Sequence, residues 1–199
     1  MKKVQICVVV LATLVLANLA RAQASYQYLA QERKCESTAG TDYDLWESVS
    51  TGYFTGGTEA QDWYPYSGYT WGGLDHSVLT SDGISLVGGD VYADNLSASE
   101  INLTAEFTVT EDCYLYLGWD MQQDMAYNAT TNMEFYVLDE TTDELLFMVE
   151  SGDGTDSIFL DGGEDGHTYR VVIHGDALSV GSGVAECEIF AYALLNSPP

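Results

Sequence analysis

The chain has 199 residues, with 31 Asp and Glu against 6 Lys and Arg and a formal net charge of −25 with histidine neutral. So acidic a balance excludes partners that need clustered cations, nucleic acid and anionic lipid above all. Because the chain is also 46% hydrophobic and 12% aromatic, with its acids spread throughout, it is no disordered acidic tail. The charge reads first as a solubilising surface, with divalent cation binding as the sharper alternative.

Residues 1–24 open with Lys2 and Lys3, run apolar from Ile6 to Ala17 and end on small Ala20, Ala22 and Ala24, the three-part pattern of a secretory signal peptide. That run is too short for a membrane span, and no later stretch approaches the roughly 20 apolar residues needed. The expectation is an exported chain without an anchor, beginning at Ser25, or at Gln23 if cleavage falls one site earlier. Without the leader, Arg33, Lys34 and Arg170 face thirty-one carboxylates, a balance of −28. Cys7 also leaves, so Cys35, Cys113 and Cys187 enter a disulfide-permissive compartment where they permit one bridge. Cys113 and Cys187 share the parity of neighbouring apolar residues and are the preferred pair, with Cys35 as an alternative partner for either. The leader reads as bacterial, so the sequons at Asn95, Asn102 and Asn128 are expected to be silent.

Residues 25–199 read as one all-β domain, an antiparallel β-sandwich with jelly-roll-like crossovers and about ten strands. The first predicted strands lie in "SYQYLA" and "YDLWESVSTGYF". Then comes "QDWYPYSGYTWGG", Gln61 to Gly73, which packs Trp63, Tyr64, Tyr66, Tyr69 and Trp71 around Pro65 and Gly68. Such a loop is either a ligand platform, through Trp63, Tyr66, Tyr69 and Trp71, or a cover folded over an open end of the core. After "DGISLVGGDVYA", the segment "INLTAEFTV" alternates apolar and polar residues at period two, the mark of a half-buried strand. Further strands are predicted at Cys113–Trp119, Met133–Leu138, Glu144–Glu150, Ser157–Leu160, Thr168–His174 and Val184–Leu194. "DETTDE", "SGDGTDS", "DGGEDG" and "HGDALSVGSG" are expected to be the breaks between them.

The segment from Ala105 to Gly175, "AEFTVTEDCYLYLGWD" through "TYRVVIHG", resembles the bacterial pre-peptidase C-terminal domain and related carbohydrate-binding-like sandwiches, and the likeness extends over residues 100–195. It lies in the order of a Phe-containing strand, an alternating strand, a strand ending in Asp139, a glycine-rich turn and a Tyr-containing strand. The chain from Ser25 onward also resembles secreted β-sandwich proteins of environmental bacteria. The resemblance implies an extracellular accessory or surface protein and supplies no catalytic residues.

Enzyme motifs are not found: there is no G-x-S-x-G, no H-E-x-x-H and no phosphate loop. In Asp75-His76-Ser77 adjacent side chains on a strand would point to opposite faces, which makes a poor triad. Calcium is the one cofactor the chain suggests, at Asp153 and Asp156 in one acidic turn and at Asp161, Glu164 and Asp165 in another, although turns need Asp and Gly in any case. The expectation is a secreted, non-enzymatic binding or matrix protein whose partner is an extracellular glycan or cell-surface component. The alternatives are a polysaccharide hydrolase or lyase using paired carboxylates and a purely structural surface protein.

Overall fold

The computed structural model describes residues 26–49, 52–62, 68–79, 88–163 and 166–196, which form twelve strands and no helix. The predicted leader lies outside the described residues. In chain order the strands are β1 (Tyr26–Ala39), β2 (Asp42–Ser48), β3 (Gly52–Asp62), β4 (Gly68–Leu79), β5 (Gly89–Asp94), β6 (Ser97–Val109), β7 (Cys113–Ala126), β8 (Ala129–Asp139), β9 (Glu144–Val149), β10 (Gly152–Leu160), β11 (His167–Ser179) and β12 (Val184–Asn196). They pair antiparallel into two six-stranded sheets, β2-β1-β6-β11-β8-β9 and β10-β7-β12-β5-β4-β3. The stretch β5 to β12 is a complete eight-stranded jelly roll, with β6-β11-β8-β9 in the first sheet and β5-β12-β7-β10 in the second. The β1–β2 hairpin widens the first sheet beside β6, and the β3–β4 hairpin widens the second beside β5.

The period-two pattern explains this arrangement. On β6 every second residue, from Ser97 through Ile101, Leu103, Ala105 and Phe107 to Val109, is buried and its neighbours are not. Leu115 and Leu117 of β7 and Ile189 of β12 face back from the second sheet, which closes one core between the layers. Two-residue turns make the corners β5–β6 and β7–β8. Asn95 and Leu96 stand at φ 44° and 67°, and Tyr127 and Asn128 at 42° and 47°. Asparagine tolerates this left-handed region, so Asn95 and Asn128 have a backbone reason to be there.

Two expected breaks turn out to be strand. "SGDGTDS" is mostly β10, which begins at Gly152, and "HGDALS" belongs to β11. Gly154 and Gly175 serve close packing instead of turning. A Cβ on Gly154 would come within 2.6 Å of the Trp119 ring, and one on Gly175 within 2.8 Å of Ile189 Cδ1.

The expected disulfide is also corrected: Cys35, Cys113 and Cys187 are free, buried thiols. Parity places Cys113 and Cys187 in the core but says nothing of their separation. Cys187 lies opposite Gln123 on β7, whereas Cys113 begins that strand, roughly 30 Å away at about 3.3 Å per residue. A bridge needs Cα atoms within about 7 Å. Cys35 sits opposite Ile101 in the first sheet and is bridged to neither Cys113 nor Cys187. Burial, reinforced by Asp112 beside Cys113 and by Asp176 beside Cys187, pushes the two thiols up to about 11 and about 12.

Candidate functional site

The structure tests only part of the aromatic segment at 61–73. Gln61 and Asp62 end β3 and Gly68 begins β4, so the segment is a hairpin, not a long loop. Trp63 and Tyr66 lie outside the described residues. The backbones of Tyr69 and Trp71 run along β4 opposite Asp94 and Tyr92 of β5. His76 is on the same strand.

The acidic candidates do not converge. Asp153 and Asp156 are three residues apart on β10, and so on opposite faces of a strand. Asp161 Oδ1 accepts from the Gly163 N–H at 3.0 Å, and Asp165 is outside the described residues. Among the described residues no three His, Cys, Asp or Glu side chains come together as a metal site. His167 is tied to Asp139, Nδ1 to Oδ2 at 3.0 Å, and Asp139 Oδ1 accepts from the backbone N–H groups of Thr141 and Thr142 at 2.8 and 3.2 Å. That knot pins the β8–β9 turn to the start of β11.

A different surface gathers the features of a binding site. It is the outward face of β12, β7 and β10, where strand register builds three rows: Asn196–Tyr114–Phe159, Leu194–Tyr116–Ser157 and Tyr192–Gly118–Thr155. Tyr114, Tyr116, Phe159, Tyr192 and Leu194 are 36%, 44%, 52%, 40% and 40% exposed. Large apolar side chains exposed together, and not scattered singly, mark an interaction surface. Tyr114 and Phe159 meet edge to face, with ring centroids 5.5 Å apart. Tyr192 rests on Gly118: a Cβ at that glycine would run into Cζ, Cε1 and Oη of the tyrosine. The ring therefore lies down on its neighbouring strand, one side on the glycine and the other free for a ligand. Two depressions flank it, of about 440 Å³ between Phe190, Asp120 and Thr155 and about 350 Å³ between Tyr116, Asp156 and Ser157.

The next rows change character. Phe190, Asp120 and Asp153 stand side by side, Glu188 faces Gln122 and Asp90, and Glu186 faces Asp124 and Tyr92. The described strands of this second sheet contain no Lys or Arg. The outward face of the first sheet holds Lys34, Arg170 and His174 instead, each among carboxylates. Lys34 Nζ lies 2.7 Å from Glu36 and 3.8 Å from Glu100, Arg170 2.9 Å from Glu140 and 3.6 Å from Glu106, and His174 Nε2 3.3 Å from Asp176. The hydrogen bond to Asp176 raises the His174 pKa against the effect of burial. A groove of about 450 Å³ crosses that face past Glu32, Glu47, Tyr136 and Arg170. Burial lifts the Tyr136 hydroxyl above its ordinary pKa.

The sequence carried a signal for the aromatic face. In "CYLYLGW" and "IFAYALL" the apolar alternation continues into the outward positions, as Tyr114, Tyr116, Phe190, Tyr192 and Leu194. Strands that are apolar on both sides are buried on both or carry a binding face.

No family model matches the chain, and no curated protein matches it. Among solved structures it is similar to the module TmCBM61 in complex with β-1,4-galactotriose, at 11% identity over 69% of this chain and 86% of that one, with a TM-score of 0.29. It is similar to carbohydrate-binding modules of the β-sandwich superfamily, at 11% identity over 85% and 75% with a TM-score of 0.24. A third likeness is to the bacteriophage CBA120 tailspike protein 4, at 12% identity over 81% of this chain and 19% of that one, with a TM-score of 0.22. With TM-scores this low these likenesses carry no argument, and the jelly roll rests on the strand order itself.

Proposed function

We propose that this is a secreted, non-enzymatic protein that holds an extracellular glycan on the outward face of β12, β7 and β10. The observation that carries this reading is the contiguous set of exposed Tyr114, Tyr116, Phe159, Tyr192 and Leu194. Flat rings stack on the apolar faces of pyranoses, and a few polar groups at the margin orient the hydroxyls. Thr155, Ser157, Asp120 and Asp153 occupy that margin. Tyr114 to Asp120 covers about 20 Å along the strand, long enough for several sugar units. The predicted leader supports secretion, and the resemblance of Ala105–Gly175 to pre-peptidase C-terminal domains fits the same accessory role. The β3–β4 hairpin widens this sheet, and the sequence candidates Trp63, Tyr66, Tyr69 and Trp71 stay in the proposal as ligand contacts.

The test is affinity electrophoresis on a panel of soluble polysaccharides with the purified exported chain and its Tyr116→Ala/Tyr192→Ala variant. Retardation by at least one polysaccharide, lost in a variant with unchanged circular dichroism, is expected. No retardation on a broad panel, or retardation that the variant keeps, overturns the reading. A structural, self-associating role has one observation in its favour, the position of β10, beside the patch, as the edge strand of its sheet among the described residues. Sedimentation decides it: a glycan-free oligomer dispersed by Phe159→Asp supports self-association, and a monomer rejects it.

A further inference from the structure

We infer that the groove on the outward face of the first sheet is a second, separate site, for a small neutral saccharide of roughly two sugar units. Strand register builds the groove. Glu32, Thr104, Val172 and Tyr136 stand in one row across β1, β6, β11 and β8, about 14 Å from end to end at three strand spacings. In the middle of that row Thr104 and Val172 are short and branched. The row to one side carries the longer pair Glu106 and Arg170, and the row to the other Asn102 and His174. Short side chains between rows of longer ones leave a trough, here of about 450 Å³. Burial shows the same shelter: the outward residues of β6 from Ala98 to Thr108 are all half-buried, whereas those of β7 are exposed apart from Gly118. Val172 faces outward and is still only 5% exposed. A pocket of this size takes a drug-sized molecule, not a polymer.

The lining sets the chemistry of that molecule. Val172, Ala30 and the half-buried Tyr136 ring supply apolar surface, on which the flat face of a sugar can rest. Arg170 is fixed from two sides, Nε 2.9 Å from Glu140 and Nη2 3.6 Å from Glu106, and a guanidinium so held still has N–H groups to donate. Thr104 Oγ1 donates to Asn102 Oδ1 at 3.4 Å, and the Asn102 amino group adds a further donor. Burial keeps the Tyr136 hydroxyl protonated and able to donate. Glu32 and Glu47 bring acceptor oxygens at the far end. Donors and acceptors side by side over an apolar floor suit a polyhydroxylated ligand. An anion would meet Glu32 and Glu47 and a cation would meet Arg170, which favours a neutral one. The groove and the aromatic platform lie on opposite sheets with the core between them, so this site stands independently of the platform reading.

The experiment is ligand-observed NMR and calorimetric titration of the exported chain with cellobiose, maltose, lactose and mannobiose, beside digalacturonate as an anionic probe and putrescine as a cationic one. At least one neutral disaccharide is expected to bind with a Kd below about 1 mM, more tightly than either charged probe. Tyr136→Ala removes the ring and Val172→Phe fills the floor, and each should weaken that binding by about tenfold or more. Either variant decides the matter if its melting curve is unchanged. Tyr116→Ala/Tyr192→Ala should keep the affinity within about twofold.

Failure of all four disaccharides to bind overturns the inference, and tighter binding of digalacturonate or putrescine overturns the neutral assignment. Binding that a folded groove variant keeps, or that the Tyr116/Tyr192 variant loses, puts the sugar elsewhere and overturns the groove as its site. Absence of polysaccharide retardation alongside disaccharide binding lost in the groove variants would strike the platform and leave the groove standing.

Discussion

Gly118→Ala separates the aromatic face from the fold that carries it. The new methyl would run into the tip of the Tyr192 ring, at Cζ, Cε1 and Oη, and those atoms are the far end of a surface side chain 40% exposed. The ring can swing away about χ1 while the backbone stays. Baring some 40 Å² more of the ring would cost about 1 kcal/mol, and replacing a strand glycine returns about 0.5–1 kcal/mol. Stability should therefore change by less than about 1 kcal/mol, a shift of only a few degrees in Tm. Binding should suffer far more, because the flat ring is displaced from its seat. Loss of one central aromatic anchor is worth about 1–2 kcal/mol, or about five- to thirtyfold in Kd. Titration with the tightest polysaccharide of the panel measures this, with Tyr192→Phe as a control that keeps the ring and its affinity. Unchanged affinity in Gly118→Ala, or a stability loss beyond about 3 kcal/mol, would refute the reasoning.

Other outcomes follow from the core and its thiols. Thiol titration should find Cys35, Cys113 and Cys187 unreactive in the native protein and all reactive in denaturant, with Tm indifferent to reductant, since none is bridged. Cys113 and Cys187 are held at about 11 and about 12. Raised folded pKa values mean a contribution intact below the unfolded thiol pKa and lost above it, so stability should decline from about pH 9 by up to about 1.4 kcal/mol per pH unit for each thiol. Burial pushes Asp139 up, but His167 and the backbone donors of Thr141 and Thr142 outweigh it and hold the carboxyl below its ordinary value. Its contribution is thus present above about pH 4 and lost as pH falls further, and Asp139→Ala should cost about 2–3 kcal/mol at neutral pH in urea melts. Gly175→Ala should cost about 1–3 kcal/mol, because the added methyl meets Ile189 at 2.8 Å and Ile101 at 3.3 Å inside the core.

At two places glycine does not punctuate the chain. Gly154 and Gly175 sit in strands because Trp119 and Ile189 approach them from another strand or the facing sheet, and no local window contains that neighbour. The cysteines failed in the same way. Alternation along one strand tells which side a residue faces but not how far it lies from a residue on the next strand. The aromatic face was missed for a related reason: Tyr114, Phe159 and Tyr192 come from three separated segments, and only register sets them in adjoining rows.

By itself the sequence determined that this is an antiparallel all-β protein, because a period-two pattern of apolar residues has no other way to bury one face. It also determined the acidity of the surface and the composition of the core. The tertiary structure alone decided that β5 to β12 close as a jelly roll, that Arg33, Lys34 and Arg170 all sit on the first sheet, and that exposed aromatics adjoin carboxylates on the second. The physical reason is that alternation is a local property enforced by the pleat, whereas adjacency depends on hydrogen-bonded pairing between strands far apart in the chain.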